Sequence, residues 1–303
     1  MISFENVSKF VLSDISIYVP EGKTVGLIGA SGAGKTTFIK LACGLLSPES
    51  GTVRTIGLQP EKERKQLGKM LGILFTDISA LKMDDTVAGN FELMQKVYGI
   101  NKEKFRADYK DLSERLGFAA FENQMVKNLS LGQRRRSEIG AAFVSRPKLL
   151  LLDEPTVGLD ENAKQVFYEL LKEREKEGVT VVFTSHDMAE VSKVCGRIAL
   201  IDEGRIRYYG EEEQLRKKFA PINKILLEFS DKIPDLEDLP VVRYVVNDNR
   251  LCIEYNDNYV TAAEVINLIM QQSEVKEVKM RKPDLGDIII QLKKKGTEKW
   301  EVL

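Results

Sequence analysis

The stretch Gly29–Thr36, which reads GASGAGKT, decides the fold of this 303-residue chain. It follows the apolar run Thr24–Gly29 and precedes an apolar segment with a helical pattern. Gly32 and Gly34 let the backbone curl tightly, so that successive N–H groups can point inward. Those groups and the start of the next helix favour an anionic phosphate. The pattern in this strand–loop–helix setting predicts a Walker A phosphate loop.

The side chains of this loop also have chemical roles. Lys35 supplies a mobile positive charge for the β and γ phosphates, and the Thr36 hydroxyl can ligate Mg²⁺. A glycine-rich turn without chemistry is the alternative, and the number of matching positions weighs against it. The predicted nucleotide-binding residues of the loop are Gly29, Ala30, Ser31, Gly32, Ala33, Gly34, Lys35, Thr36 and Thr37.

The composition excludes several classes of protein. Apolar residues make up 43% of the chain and charged residues 30%, with a net charge of −1. This balance gives no overall field for nucleic acid, so no direct nucleic-acid partner is expected. One histidine and three widely spaced cysteines cannot complete a common zinc site. Without a secretory signal pattern or an apolar run of about 18 residues, we expect a cytoplasmic chain.

Short apolar runs alternate with longer amphipathic segments, which predicts an α/β core. Strand patterns fade between about residues 77 and 145, where helical patterns predict an insertion. The expected strands are Thr24–Gly29, Leu149–Asp153, Thr180–Thr184, Arg197–Asp202 and Arg205–Tyr209.

The pattern changes after Phe219, so we expect a first domain of residues 1–219 and a small α+β domain of residues 220–303. Strand patterns there surround a helix whose N-cap is Thr261. The charged final stretch KKKGTEKWEVL is expected to be frayed. The domain carries no chemical motif, which favours a role in packing or regulation.

Two acids close the leucine run of KLLLLDEP. The leucines predict a buried strand that brings Asp153 to its carboxyl end, where ligands bind in parallel α/β sheets. Asp153 suits Mg²⁺, and Glu154 could polarise a water for in-line attack on a γ-phosphate. Beside a phosphate loop, these acids predict the catalytic half of an active site.

A second small turn, LSLGQ at Leu129–Gln133, comes just before a helical segment. Ser130 and Gly132 could bind a second phosphate at the helix N-terminus, or they could form a plain helix cap. The three arginines that follow fit a solvated or packed helix face better than a nucleic-acid patch.

His186, the only histidine, follows the strand Thr180–Thr184. It should leave the carboxyl end of that strand on the same edge as Lys35 and Glu154. A neutral imidazole can donate one N–H to a γ-phosphate oxygen. We therefore predict that His186 is a catalytic, nucleotide-binding residue, and that Asp187 caps the next helix.

Taken together, these motifs resemble the ATP-binding cassette (ABC) ATPases. The resemblance covers roughly residues 1–215 and also includes GLD at Gly158–Asp160 and TSHD at Thr184–Asp187. It implies the α/β fold of a P-loop NTPase ABC cassette, with a RecA-like core, an antiparallel β subdomain and a helical insertion, followed by the small C-terminal α+β domain. It also implies hydrolysis of ATP with Mg²⁺.

The resemblance implies a head-to-tail homodimer with two ATP molecules at the interface. The phosphate loop of one subunit would face Ser130, Gly132 and Gln133 of the other, which would explain two phosphate cradles in one chain. Asp160 would lie at the dimer seam. Phe10 would stack on adenine, or it could be an ordinary core or surface residue.

Two positions depart from the family pattern. Leu131 replaces the first glycine of LSGGQ, at a position that varies, so we expect function to survive. After LGILF the family has a glutamine that binds Mg²⁺ and water, whereas this chain has Thr76 and Asp77, and either side chain offers an oxygen to metal or water. We expect Asp77 to take its place as a metal ligand, with Thr36 and Asp153.

The stretches around LSLGQ and after LGILF resemble the ABC-2 exporter type. This resemblance implies an ATPase subunit, peripheral on the cytoplasmic face of the cell membrane, that drives export through an integral membrane permease. The segment Leu81–Tyr98 would transmit motion to that permease. The alternative is a soluble ABC ATPase acting on nucleic acid or ribosomes, although such relatives usually carry long coiled coils or two fused cassettes.

Overall fold

The computed structural model describes residues 1–219, 222–230, 233–236, 239–283 and 287–288. The final stretch KKKGTEKWEVL lies outside these residues. Contacts divide the chain into a first unit of residues 1–210 and a second unit that begins at Glu211. Within the described ranges, none of the helices has both the length and the apolar character needed to cross a bilayer.

Nine strands build the first unit. They are β1 (Ile2–Lys9), β2 (Leu12–Val19), β3 (Thr24–Ile28), β4 (Ser50–Thr55), β5 (Leu71–Leu74), β6 (Leu149–Asp153), β7 (Thr180–Ser185), β8 (Arg197–Asp202) and β9 (Arg205–Gly210). Six form a central sheet in the order β5-β6-β7-β3-β8-β9, in which only the β8–β9 pair is antiparallel. The other three form an antiparallel sheet in the order β2-β1-β4. The predicted α/β fold is confirmed, and each expected strand ends within one residue of its predicted position.

Seven α-helices accompany these strands. They are α1 (Lys35–Ala42), α2 (Arg64–Gly68), α3 (Val87–Tyr98), α4 (Lys102–Arg115), α5 (Leu131–Val144), α6 (Glu161–Lys176) and α7 (Met188–Val194). Strands β3, β6 and β7 are buried along their whole length, because helices pack against the sheet. Since these parallel strands are neighbours, the residues that follow them meet at one edge of the sheet.

The main buried cluster joins the antiparallel sheet to α1 and the central sheet. The rings of Phe4 in β1 and Phe38 in α1 stack with their centroids 4.2 Å apart. Val53 from β4 and Leu151 from β6 belong to the same cluster. This packing fixes α1, and therefore the phosphate loop that precedes it, against the sheet.

Helices α3, α4 and α5 lie between β5 and β6, where the sequence predicts a helical insertion. An aromatic group of Phe91, Tyr109 and Phe118 packs inside it. Helix α5 then runs back along β5 at very close range. A Cβ added at Gly72 in β5 would lie 2.0 Å from the carbonyl oxygen of Ala142 in α5. Only a hydrogen atom fits between this strand and this helix.

In the part of the second unit that the structure describes, an antiparallel sheet is accompanied by helices. Its elements are α8 (Glu212–Phe219), β10 (Ile222–Phe229), β11 (Arg243–Asn247), β12 (Arg250–Asn256), α9 (Ala262–Met270) and β13 (Val275–Arg281). The strand order is β11-β12-β10-β13. Alternate residues of β10 and β12 are buried against α9, whose N-cap is Thr261 with a capping box to Glu264. The predicted domain boundary after Phe219 would place α8 in the first domain, whereas contacts group this helix with the second unit.

The close approach at Gly72 generates a stability prediction. Gly72→Ala should lower the free energy of unfolding by about 1–3 kcal/mol, because the added methyl group overpacks the gap between β5 and α5. Gly68→Ala is the matched control, since a Cβ at Gly68 meets nothing within 4 Å. Thermal and denaturant unfolding of the full chain should show the loss of stability for Gly72→Ala but not for Gly68→Ala. Equal midpoints for both variants would contradict this packing.

Candidate active site

The phosphate loop depends on two glycines with positive φ. Gly32 has φ +80° and Gly34 has φ +109°, in the region that other residues rarely adopt. A Cβ at Gly34 would also lie 2.3 Å from Cδ2 of Leu12. Both glycines are therefore required by the backbone path that leads into α1.

Lys35 is buried at the base of the loop. Its ammonium group donates hydrogen bonds to the carbonyl oxygens of Gly29, at 2.8 Å, and Ala30, at 3.2 Å. It also lies 3.6 Å from Oε1 of Glu154. The side chain thus links the phosphate loop to the acid that follows β6.

Asp153 connects three adjacent strand ends. Its Oδ2 accepts a hydrogen bond from the Thr36 hydroxyl at 2.8 Å, and its Oδ1 accepts one from the Thr184 hydroxyl at 2.7 Å. The residue is 1% exposed. A buried carboxylate with both oxygens bonded holds the start of α1 and the end of β7 at fixed distances from β6.

Glu154 has an unusual backbone conformation. Its φ of 45° lies in the left-handed region, which costs about 1–3 kcal/mol for a residue other than glycine and occurs where surrounding bonds enforce it. Its N–H donates to the Thr184 hydroxyl at 2.8 Å, and its carbonyl oxygen accepts from the Arg135 guanidinium at 2.8 Å. Its Oε2 lies 2.9 Å from Nδ1 of His186. Hydrogen bonds on both sides of the residue maintain this conformation and aim its carboxylate at His186.

These side chains border a cleft of about 480 Å³. All lining residues except Val11 and Thr76 were predicted from the sequence as nucleotide-binding or catalytic. The cleft is lined by Val11, Ser31, Gly32, Gly34, Lys35, Thr36, Thr37, Thr76, Glu154 and His186. Of the remaining loop residues, Gly29 and Ala30 bind Lys35, and Ala33 donates its N–H to the carbonyl of Ala30 at 3.2 Å.

Thr76 and Asp77, which follow Phe75 after the end of β5, are arranged differently from the expectation. Thr76 lines the cleft and donates its hydroxyl hydrogen to the carbonyl of Asp153 at 3.0 Å. Asp77 points elsewhere, and its carboxylate pairs with Lys40 at 3.0 Å. The structure therefore places Thr76, and not Asp77, beside the expected metal position. The role of Asp77 as a ligand stays a prediction that this geometry does not favour.

The predicted residues of the LSLGQ turn lie apart from this cleft. Ser130 caps α5, accepting a hydrogen bond from the N–H of Gln133, while the Gln133 side chain accepts one from the N–H of Ser130. Gly132 lies close to Gly158. A Cβ added at position 132 would be 2.9 Å from the carbonyl oxygen of Gly158. Leu131, the departure from the family pattern, is 56% exposed.

Asp160 lies near this turn. It pairs with Arg136 of α5 and accepts the N–H of Ala163, as the N-cap of α6. That backbone hydrogen bond is the main reason why the pKa of Asp160 lies below its ordinary value, and Arg136 acts in the same direction. None of these residues lines the cleft of its own chain.

Phe10 does not pack into a core. Its side chain is 69% exposed, and its φ of 53° is positive. The Lys9 ammonium lies 4.7 Å from the centre of the ring. Its neighbour Val11 lines the cleft, and the role of Phe10 toward adenine stays a prediction.

Two residues that shape the site are absent from the predicted site residues. Thr184 bonds both Asp153 and Glu154, although the sequence marks it only as the end of a strand and the first residue of the TSHD motif. Arg135 is one of three similar arginines, and no sequence signal singles it out. Asp187 does cap α7, as predicted, by accepting the N–H of Ala189.

Comparison with known proteins assigns the family. The family described as ABC transporter matches residues 12–157. The chain is 32% identical over 214 residues to the ABC transporter ATP-binding protein NatA of Bacillus subtilis (strain 168), covering 70% of this chain and 87% of that protein. The chain belongs to the ABC transporter family. It is an ABC ATPase, and the nucleotide-binding fold inferred from its motifs is confirmed.

Two further relatives of this ABC ATPase align over nearly the whole chain. The methionine import ATP-binding protein MetN of Clostridioides difficile (strain 630) is 29% identical, over 98% of this chain and 94% of that protein. The Nod factor export ATP-binding protein I of Rhizobium etli is 28% identical, over 98% of this chain and 95% of that protein. Because one relative is named for import and the other for export, these names alone assign no direction.

A solved structure extends the comparison to dimers. The dimeric structure of MJ0796, described as a bacterial ABC transporter cassette, matches with a TM-score of 0.61 and 26% identity. The match covers 70% of this chain and 98% of that one. This ABC ATPase therefore resembles a cassette that forms dimers.

The positions of Thr76 and Asp77 generate a prediction. Thr76→Val should slow ATP hydrolysis about 10-fold, because it removes a hydroxyl from the cleft and its hydrogen bond to the Asp153 backbone. Asp77→Asn should leave the rate and its Mg²⁺ dependence unchanged. Steady-state ATPase assays over a Mg²⁺ titration measure both effects. The opposite ranking of the two variants would restore Asp77 as the metal ligand.

Proposed function

We propose that this ABC ATPase hydrolyses ATP with Glu154 as general base, in a head-to-tail homodimer that drives export through a separate permease. One observation carries the proposal: Lys35, Glu154 and His186 meet at one cleft beside the glycine loop. A phosphate clamp, a base and an imidazole at one place are the parts that hydrolysis of a γ-phosphate requires.

The phosphate loop and Lys35 would hold the β and γ phosphates through backbone N–H groups and the ammonium charge. This positioning is the larger part of catalysis, because phosphoryl transfer needs little covalent help from the protein. The deep position of Lys35 limits its motion, so its charge is fixed before ATP arrives.

His186 has to change partners for its proposed role. A neutral ring that donates Nδ1–H to Glu154 has no second N–H to offer. We expect the ring to leave Glu154 when ATP binds and to donate its single N–H to a γ-phosphate oxygen. The Glu154 carboxylate is then free to accept a proton from the attacking water. The water oxygen bonds to the γ-phosphorus as the bond to the β-phosphate oxygen breaks, which releases ADP and phosphate.

The oxygen atoms of Thr36 and Asp153 fit Mg²⁺. A hydroxyl and a carboxylate 2.8 Å apart are hard ligands, and Mg²⁺ in nucleotide sites uses one or two such groups together with waters and phosphates. Bound Mg²⁺ would neutralise charge on the phosphate oxygens. Thr36 would then ligate it directly, and the more deeply buried Asp153 would bind it directly or through water.

A second copy of the chain would complete the site. Ser130, Gly132, Gln133 and Asp160 lie outside the cleft of their own chain, although the α5 N-terminus offers backbone N–H groups to a phosphate. Head-to-tail pairing would bring this turn onto the nucleotide of the partner. The dimeric MJ0796 cassette supports the pairing of two copies.

An apolar groove of about 390 Å³ supports docking of a permease segment. Phe75 and Ile78 after β5 line it together with Met94 and Tyr98 of α3. The groove overlaps the predicted permease-contact segment Leu81–Tyr98 through Met94 and Tyr98. Since Phe75 precedes Thr76, a segment bound there would be connected to the cleft. We place the chain on the cytoplasmic face of the membrane, and the exporter-type stretches of its sequence favour export.

The proposed base gives a direct test. Glu154→Gln should lower the hydrolysis rate by about 10²–10³-fold, as expected for loss of a general base, while ATP still binds. Because hydrolysis normally reopens the dimer, an ATP-bound dimer should accumulate and be visible by light scattering. Glu114→Gln, at an exposed acid of α4, is the control and should behave as wild type. A Glu154→Gln protein that hydrolyses ATP at the wild-type rate would refute this role.

The membrane partner can be tested separately. Tagged chain isolated from its native cells in mild detergent should retain a polytopic membrane protein. Mass spectrometry of the retained material, with the tag alone as control, identifies the partner. Ribosomes or nucleic acid in place of a membrane protein would overturn the transporter proposal and support the soluble alternative.

A further inference from the structure

Arg135 is the buried member of the three consecutive arginines in α5. It is 4% exposed, whereas the side chains of Arg134 and Arg136 are 35% and 29% exposed. A helix turns about 100° per residue, so only one of three successive side chains can face the sheet. Burial lowers the pKa of Arg135, and the neighbouring Glu138 opposes that change. A buried cation is costly unless its donors are satisfied.

The guanidinium of Arg135 bridges two strand ends. One nitrogen donates to the carbonyl oxygen of Phe75 at 2.8 Å, and the other donates to the carbonyl oxygen of Glu154 at 2.8 Å. The first nitrogen also lies 3.4 Å from Oε2 of Glu138, which is itself buried. The planar fork of an arginine suits two acceptors at once, which a lysine ammonium matches less well.

The bond to Glu154 is made at a strained residue. Thr184 holds the N–H of Glu154, and Arg135 holds its carbonyl oxygen, so hydrogen bonds hold both sides of a left-handed residue. Without the second bond, the backbone of Glu154 can relax toward a common conformation. Such a relaxation would redirect the carboxylate away from the cleft.

We propose that Arg135 is a positioning residue for ATP hydrolysis, holding the Glu154 carboxylate on the cleft and linking it to the N-terminus of α5. The inference rests on the proposed function, because it takes Glu154 as the base. Ser130, the N-cap of α5, and Gln133, in its first turn, both lie within two turns of Arg135. A movement of that turn, when it meets the nucleotide of the partner subunit, is therefore transmitted to the base of its own subunit.

The first test compares neighbouring arginines. Arg135→Gln should reduce kcat about 10- to 100-fold with KM for ATP within about threefold, because a displacement of about 1 Å at a catalytic group costs this much. Arg134→Gln on the same helix is the control and should keep the wild-type kcat. A folded Arg135→Gln protein with a kcat within twofold of wild type would overturn the proposal. If Arg135→Gln does not fold, the same criterion applies to Arg135→Lys, which keeps the charge but not the fork and should show a smaller loss of kcat.

A double-mutant cycle separates positioning from general structural damage. In single-turnover assays, adding the Arg135 substitution to Glu154→Gln should change the residual rate by less than about threefold, because the base it positions is already gone. An equal loss in both backgrounds would show that Arg135 acts on something other than Glu154. The controls also separate the two proposals: if Glu154→Gln itself retains the wild-type rate, the proposed function fails, whereas a slow Glu154→Gln with an active Arg135 variant refutes only this inference.

Discussion

The buried carboxylate of Asp153 is the interaction on which the site depends. It receives the hydroxyl of Thr36 from the start of α1 and the hydroxyl of Thr184 from β7. Removing either partner would leave a charged oxygen unbonded in a nearly dry interior, at a cost of about 1–3 kcal/mol or more. The strand ends are therefore kept in register by side-chain bonds as well as by the sheet. This rigidity fixes the backbone at the edge of the sheet from which the side chains of the cleft project.

Glu154, at the same edge of the central sheet, has a strained backbone conformation. Its backbone occupies a conformation that a glycine would adopt freely, and two neighbours hold it there. The carboxylate contacts Lys35 and His186, a cation and a ring that the nucleotide would attract. Binding of phosphate would compete for both contacts. Glu154 is thus held in place by its backbone, while its side chain can change partners.

Hydrophobic periodicity and sequence motifs predicted the features of this molecule that follow from general physical rules. Buried strands read as apolar runs, and parallel strand ends converge, so Lys35, Glu154 and His186 were predicted to meet. The choice between Thr76 and Asp77 was not predictable, because a local bend after β5 decides which of two adjacent side chains faces the cleft. Arg135 was missed because its role depends on the carbonyl groups of two distant loops. The roles of the LSLGQ turn stay predictions, because a single chain does not contain its partner.

The two units have separate buried clusters, and every residue of the cleft belongs to residues 1–210. Relatives differ in how much of this chain they match. The alignment with NatA covers 70% of the chain, whereas those with MetN and the Nod factor protein cover 98%. Sequence changes within the buried cluster of the second unit involve none of the side chains that line the cleft. The second unit can therefore diverge in sequence among relatives while the residues of the cleft are kept.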